Sequence, residues 1–272
     1  MTTVARGRRA AGPARGYGFR TVARMEWAKL RSVRSSWLIV ALYAASLIGL
    51  AVLALSLEGY SRMSAADRAA FDPTHDCFIG LVLGQLLVGV LGVLAITAEF
   101  SSGMIRATFA AVPRRPLVLF AKASVLGAVT LVAGEISAFA AFFAGQAALQ
   151  APAPAATLGQ PGVLRAVLMA GAYPALIALM SLGIGAVIRH TAGAIGAVVG
   201  LLFVLPFLVA PLGPAIVNVA QNLLPHVLAA ISLTAVRPMA HALSPWPAFL
   251  LLCGYATAAL AAGSWALARH DA

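Results

Sequence analysis

Six apolar runs, each long enough to cross a bilayer, leave this chain few ways to fold. They are Ser36 to Leu57, Cys77 to Ala98, about Leu117 to Leu149, Leu164 to Ile188, Thr191 to about Leu212, and Trp246 to Ala268. One helical crossing needs about 20 such residues. Backbone N–H and C=O groups find no water in hydrocarbon and must pair within the chain; since none of the runs alternates like a barrel strand, helices follow. The third run exceeds one crossing, so its first residues belong to the preceding loop or its helix tilts. Of 272 residues 61% are hydrophobic and 10% charged, where soluble domains carry about 25% charged residues. The expected fold is an all-α integral membrane protein with six transmembrane helices. Residues 1–18 read as a flexible basic arm, 19–35 as an interfacial helix and 36–272 as the six-helix transmembrane domain.

Charge distributes unevenly around these runs. Nine of the nineteen basic residues precede Ser35, and most others punctuate apolar segments. The net charge of +11 therefore points to anionic lipid headgroups as partners and not to nucleic acid. No short apolar stretch of about 7 to 15 residues follows the basic start, so no cleavable signal is expected and the first span stays as an anchor. Fifteen basic residues fall on the side of the N-terminal arm, and only Arg62, Arg68, Arg165 and Arg237 on the other. The positive-inside rule then puts both termini in the cytoplasm. Arg far outnumbers Lys, and Ala and Gly are abundant, as in proteins from GC-rich bacterial genomes; the expected location is a bacterial plasma membrane.

Phe19 to Arg34 has the spacing of an imperfect amphipathic helix. Arg20, Arg24 and Arg31 share one stripe, Phe19, Val22, Leu30 and Val33 another, and Glu26 interrupts the apolar side. Such a helix lies in the headgroup layer with Trp27 as an anchor and Lys29 and Arg31 among its cations. Between the second and third runs, Glu99 to Lys122 gathers most of the charge found after the arm. Gly103 and the residues around it can begin a short helix, and Pro113 and Pro116 keep it from running into the next span. Arg106, Arg114 and Arg115 stay in water. Charge alone favours an ordinary basic loop that sets topology.

The ordering of these residues resembles the ABC-2 type transporter permeases, in an actinobacterial-like form. The features are Glu99 at the end of a span, Gly103 four residues on, Pro113-Arg114, and Lys122 opening the next span. The stretch Glu26 to Ser32, the punctuation Arg189-His190-Thr191 and the basic end Arg269-His270 extend the likeness over nearly the whole chain. The resemblance implies a cytoplasmic coupling helix between spans 2 and 3 and re-entrant helices between spans 5 and 6. It implies contact of Glu99, Gly103, Arg106, Pro113, Arg114 and Arg115, and of the interfacial helix, with a separate ABC ATP-binding subunit. It further implies a dimer with a second permease copy or homologue, with ATP and Mg held by the partner subunit. From the residues themselves, the Glu99 carboxylate is expected to cap the short helix; the resemblance implies that Arg114 and Arg115 meet the ATPase.

Other residues leave alternatives open. Glu135 is the one ionisable residue well inside a span, where a charge costs about 2.5 to 3.5 kcal/mol. Counted from the cytoplasmic ends, Gln85 and Glu135 both lie about 20 Å deep; they either hydrogen-bond across neighbouring helices or line a substrate path. Cys77 and Cys253 serve as small packing residues or, both lying outward, as a disulfide. The segment Pro206 to Pro247 holds seven prolines yet stays apolar, with AIVNVAQNLL and HVLAAISL as short helical candidates. Gly80 with Gly84, Gly89 with Gly92, and Gly193 with Gly196 and Gly200 permit close helix approach, within one bundle or between two. No phosphate loop, His-Glu-x-x-His or Gly-x-Ser-x-Gly pattern occurs, so no catalysis and no bound cofactor is expected of this chain. A transporting permease for amphiphilic or hydrophobic cargo leads; a membrane-embedded scaffold that recruits a soluble factor is the alternative, and a secondary transporter comes third.

Overall fold

The computed structural model describes residues 18–57, 59–212, 217, 222–235 and 243–269. The basic arm through residue 17, most of the candidate helix AIVNVAQNLL, and Arg237 and His270 lie outside the described residues. Every regular element among the described residues is helical, and six helices are long and apolar enough to cross a membrane.

The chain begins with α1 (Phe19–Ser32), breaks at extended Val33, and continues as α2 (Arg34–Ser56). Two short helices, α3 (Ala65–Ala70) and α4 (Pro73–Asp76), lie between the first two spans. The second span is α5 (Leu81–Ser101), the short α6 (Met104–Ala111) follows, and the third span is α7 (Arg115–Ala148). Next come α8 (Val163–Ile188) and a span built of α9 (Thr191–Val199), a π-helical turn (Gly200–Val204) and α10 (Leu205–Val209). Then α11 (Pro225–Leu233), the HVLAAISL candidate, leads to the last span, α12 (Pro245–Arg269).

At 34 residues α7 is about 51 Å long, well beyond the roughly 30 Å of hydrocarbon. The over-long third run is therefore one unbroken helix, longer than one untilted crossing requires.

The centre of the bundle is α8, which packs on α5, α7, α9 and α12. In its most apolar window 72% of residues are buried, against 17% for the α9–α10 span, which sits at the periphery. Glycine sets the closest crossings: a methyl on Gly134 would lie 2.1 Å from the Gly171 carbonyl, one on Gly92 2.4 Å from that of Ala178, and one on Gly183 2.3 Å from the Ala259 backbone. Just before α5, a methyl on Gly80 would lie 2.4 Å from the Ser46 carbonyl of α2, and one on Gly84 2.9 Å from the Tyr43 ring. Gly196 and Gly200 on the peripheral span meet nothing within 4 Å. Small residues thus replace the hydrophobic drive that lipid cannot supply.

Away from α1, polar side chains bind the connections together. Asp72 caps α4 through Oδ1, which accepts from the N–H groups of Thr74 and His75, and its Oδ2 accepts from the Ala235 N–H at 2.8 Å. Arg165 donates to the carbonyls of Ser232 and Thr234 at 3.0 and 2.7 Å, closing the C-terminal end of α11. Cys77 and Cys253 are free thiols; Cys77 is buried against the Pro73 carbonyl, and burial pushes its thiol up to about 12. The packing reading of the cysteines therefore replaces the disulfide.

Candidate functional site

The site is assembled where α1 crosses the ends of α5 and α7. On α1 the spacing of Val22, Glu26 and Lys29 puts all three on one face. Val22 packs into a small apolar cluster with Val112, Val118 and Ala121, while Arg20, Arg24 and Arg31 are exposed on the opposite stripe. Glu26 does not interrupt the apolar face; it is buried in it, because a cation comes to meet it from two directions. Trp27 stands outside, 6.5 Å from Trp37 in an edge-to-face pair spanning the Val33 break, as aromatic side chains do at a membrane boundary.

Two glutamates and the chain's two lysines form one cluster. Lys29 Nζ donates to Glu26 Oε1 at 2.8 Å, to Glu99 Oε1 at 3.0 Å and to Thr108 Oγ1 on α6 at 3.4 Å. Lys122 Nζ donates to Glu99 Oε1 at 2.6 Å and to Glu26 Oε2. Formal charges cancel, as burial demands: the carboxylate side chains are 2% and 4% exposed and that of Lys122 7%, while Lys29 keeps 24%. Burial alone would lower the pKa of Lys29; its bonds to Glu26 and Glu99 outweigh this and leave it above the usual 10.5. Glu99 Oε2 is buried and has no hydrogen-bond partner among the described residues.

The turn from α5 into α6 depends on Gly103, whose φ of 71° lies in the left-handed region that side chains other than glycine resist. At the far end Pro113 forces Val112 into extended geometry and stops α6. The expected cap by Glu99 is not made: Gly103 is the N-cap of α6 and no side chain bonds there. Glu99 points to the lysines instead, since two ammonium groups outcompete peptide N–H donors for a buried carboxylate.

Nor do Arg114 and Arg115 act alike. Arg114 is exposed, as are Arg106 and Met104. Arg115 turns back: it donates to the Leu267 carbonyl at 3.2 Å and lies over the Phe109 ring at 5.4 Å. Arg189, in a left-handed conformation, donates to the Ala266 carbonyl at 2.9 Å. Two cations from α7 and α8 thereby occupy the last carbonyls of α12, where a helix end favours positive charge.

The deep polar residues also depart from expectation. Gln85 Oε1 accepts from the Tyr173 hydroxyl at 2.6 Å, not from Glu135. Chain neighbours α5 and α7 are not spatial neighbours along their length; α5 packs on α2 and α8, so equal depth does not bring Gln85 and Glu135 together. Glu135 meets α8 at Gly171, where an added methyl would lie 2.4 Å from its carboxyl, and its Oε2 is buried without a partner among the described residues.

Beside the charge cluster, α1, α2, α5 and α7 enclose a cavity of about 290 Å³. Its polar end carries Glu26, Lys29, Glu99 and Lys122, and Leu91, Leu94, Ile39 and Leu126 belong to its apolar wall. Among the described residues no three His, Cys, Asp or Glu side chains come together as a metal site. The lysine contacts were not read from the sequence, since Lys122 and Glu26 are 96 positions apart and no periodicity links them; the available signal was Lys29 three positions after Glu26. Compared with known proteins, the chain matches no family model and no curated protein.

Proposed function

We propose that this chain is the permease subunit of an ABC-2 type exporter, with both termini on the cytoplasmic side of a bacterial membrane. It works as a dimer with a second copy or homologue, and a separate ABC ATP-binding subunit supplies ATP and Mg. The observation that carries this reading is the four-charge cluster. It fastens α1, the end of α5 and the start of α7, and reaches α6 through Thr108. A push at the exposed Met104 and Arg106 of α6, or at Arg114 where α7 begins, would therefore reach two spans and the interfacial helix as one body, because separating the partners of a buried ion pair is costly. A segment that only sets topology has no need of a lysine buried between two glutamates, as Lys122 is at the start of α7. α6 takes the role of coupling helix and α11 that of the re-entrant element. Coupling falls to Arg106 and Arg114; Arg115 belongs to the α12 clamp.

The test is the ATP turnover of the reconstituted complex relative to the isolated ATP-binding subunit. The pair Arg106→Ala with Arg114→Ala should abolish stimulation at unchanged complex yield, with Arg68→Ala on the opposite face as control. Full stimulation in the pair variant would sink the assignment.

A further inference from the structure

The two faces of α1 are turned the opposite way from those of an ordinary interfacial helix, whose apolar side enters lipid while its cations look to water. Here the apolar side is spent on the protein: Val22 packs with Val112, Val118 and Ala121, and Glu26 and Lys29 join the ion cluster. Arg20, Arg24, Trp27 and Arg31 recur at the spacing of one helical stripe on the other side, and all four are exposed. Trp27 shows where that stripe looks. Its ring meets Trp37 edge to face at 6.5 Å, and Trp37, with Leu38 and Leu42, belongs to the exposed side of the α2 span, which in a membrane meets lipid. Arg34, the first residue of α2, is exposed as well. The arginine stripe therefore lies at the level where α2 leaves the hydrocarbon, and faces the surrounding headgroups.

Nothing on this surface neutralises the arginines. Glu26 is the only acidic residue before Glu58, and lysines take both its oxygens. Among the described residues no ion pair includes Arg20, Arg24, Arg31 or Arg34. A guanidinium presents two N–H donors in a fork that matches two phosphate oxygens, and lipid phosphates are the anions held at this depth. A choline headgroup carries its own cation beside the phosphate, whereas a glycerol headgroup leaves the charge uncompensated. We propose that the stripe Arg20, Arg24 and Arg31, with Arg34, binds the phosphates of anionic phospholipids in the leaflet on the α1 side, and that Trp27 sits among those lipids as their neighbour. This departs from the ATPase contact that the resemblance implies for α1: a soluble subunit would have to displace headgroups to reach the stripe, and α6 is left as the face open to it.

The proposal does not rest on the permease reading, and its test needs no ATP-binding subunit. Full-length protein that keeps Trp27 as its one tryptophan, through Trp37→Phe, Trp246→Phe and Trp265→Phe at exposed positions, is reconstituted into bilayers of phosphatidylcholine and phosphatidylglycerol. In one set the phosphatidylglycerol carries bromines near the top of its acyl chains, in the other an equal share of the phosphatidylcholine does, and quenching of Trp27 fluorescence reads which lipid lies beside it. Both should quench, with phosphatidylglycerol preferred about fivefold at low salt, the worth of one basic side chain at an anionic surface. Salt at about 0.5 M should bring the two near parity, and so should Arg20→Gln with Arg24→Gln and Arg31→Gln at low salt, while phosphatidylcholine still quenches. No quenching by either lipid would place the stripe in water or against a protein and overturn the proposal. Equal quenching at low salt would overturn the anionic headgroup, and a preference undiminished in the triple variant would overturn the residues. Should the triple variant fail to fold, the salt series decides, a preference unchanged at about 0.5 M counting against the arginines. Should the single-tryptophan protein fail, the difference between the wild type and Trp27→Phe yields the same ratio.

Discussion

Glu26 and Glu99, at the α1 end of the bundle, are surrounded by ammonium groups, whereas Glu135, midway along α7, faces the backbone of Gly171. Glu26 and Glu99 are buried and Glu135 is half-buried, but only the first place supplies counter-charge. Near the interface a lysine stem can follow the apolar surface while its ammonium finds a carboxylate. At mid-depth the chain provides neutral partners, Gln85 and Tyr173, and these bond each other. Charge pairing thus belongs to the end that joins separate helices, and neutral hydrogen bonding to the middle, where close glycine crossings already hold the helices together.

The largest effect expected from breaking this contrast is at Lys122. Lys122→Met leaves Glu26 Oε2 buried without its cation and should destabilise by about 3 to 5 kcal/mol, read as equilibrium unfolding in detergent; a loss under about 1 kcal/mol would mean that the cluster is effectively solvated. Next is the middle. Tyr173→Phe strands Gln85 Oε1 and should cost about 1 to 3 kcal/mol, and no loss at all would show that the pair contributes nothing to stability. Gly103→Ala has room for its methyl but the wrong φ, and should cost about 1 to 2 kcal/mol, seen as faster hydrogen exchange confined to α6. Exchange that rises equally in α8 would contradict a local hinge. Glu135→Gln should move stability by under about 1 kcal/mol, the scale of lone polar groups in membrane bundles; a loss rivalling that of Lys122→Met would erase the contrast.

A smaller, pH-borne effect belongs to Lys29. Its folded pKa lies above the unfolded 10.5, so its contribution is complete below 10.5 and fades as pH climbs through the folded value. Partial exposure screens it. Stability should stay flat from about pH 7 to 10 and fall only beyond, and Lys29→Arg should remove that fall; a decline complete by about pH 9 would refute the assignment.

The six spans were legible because hydrocarbon length is written directly into apolar run length, and Pro113 and Gly103 announced the ends of α6 through backbone geometry alone. Two things were not legible. Which spans touch depends on glycine contacts such as Gly92 with Ala178 and Gly134 with Gly171, so the supposed pairing of Gln85 with Glu135 failed although their depths agreed. The reach of Arg115 to Leu267 crosses 152 positions and no local pattern encodes it; read locally, Arg115 was one more loop cation beside Arg114.

The placing of both lysines in one cluster also decides how the folded protein meets chemical reagents. Trypsin sites and surface positive charge come almost wholly from arginine, so amine-directed esters and crosslinkers have little to attack. Of the side-chain amines, Lys29 at 24% exposure is largely shielded and held protonated by its carboxylates, and Lys122 at 7% is sheltered between Glu26 and Glu99. Acylation at Lys122 would then act as a clock for opening of the helix junction: silent in the native protein, appearing only when α1 lifts away from α7.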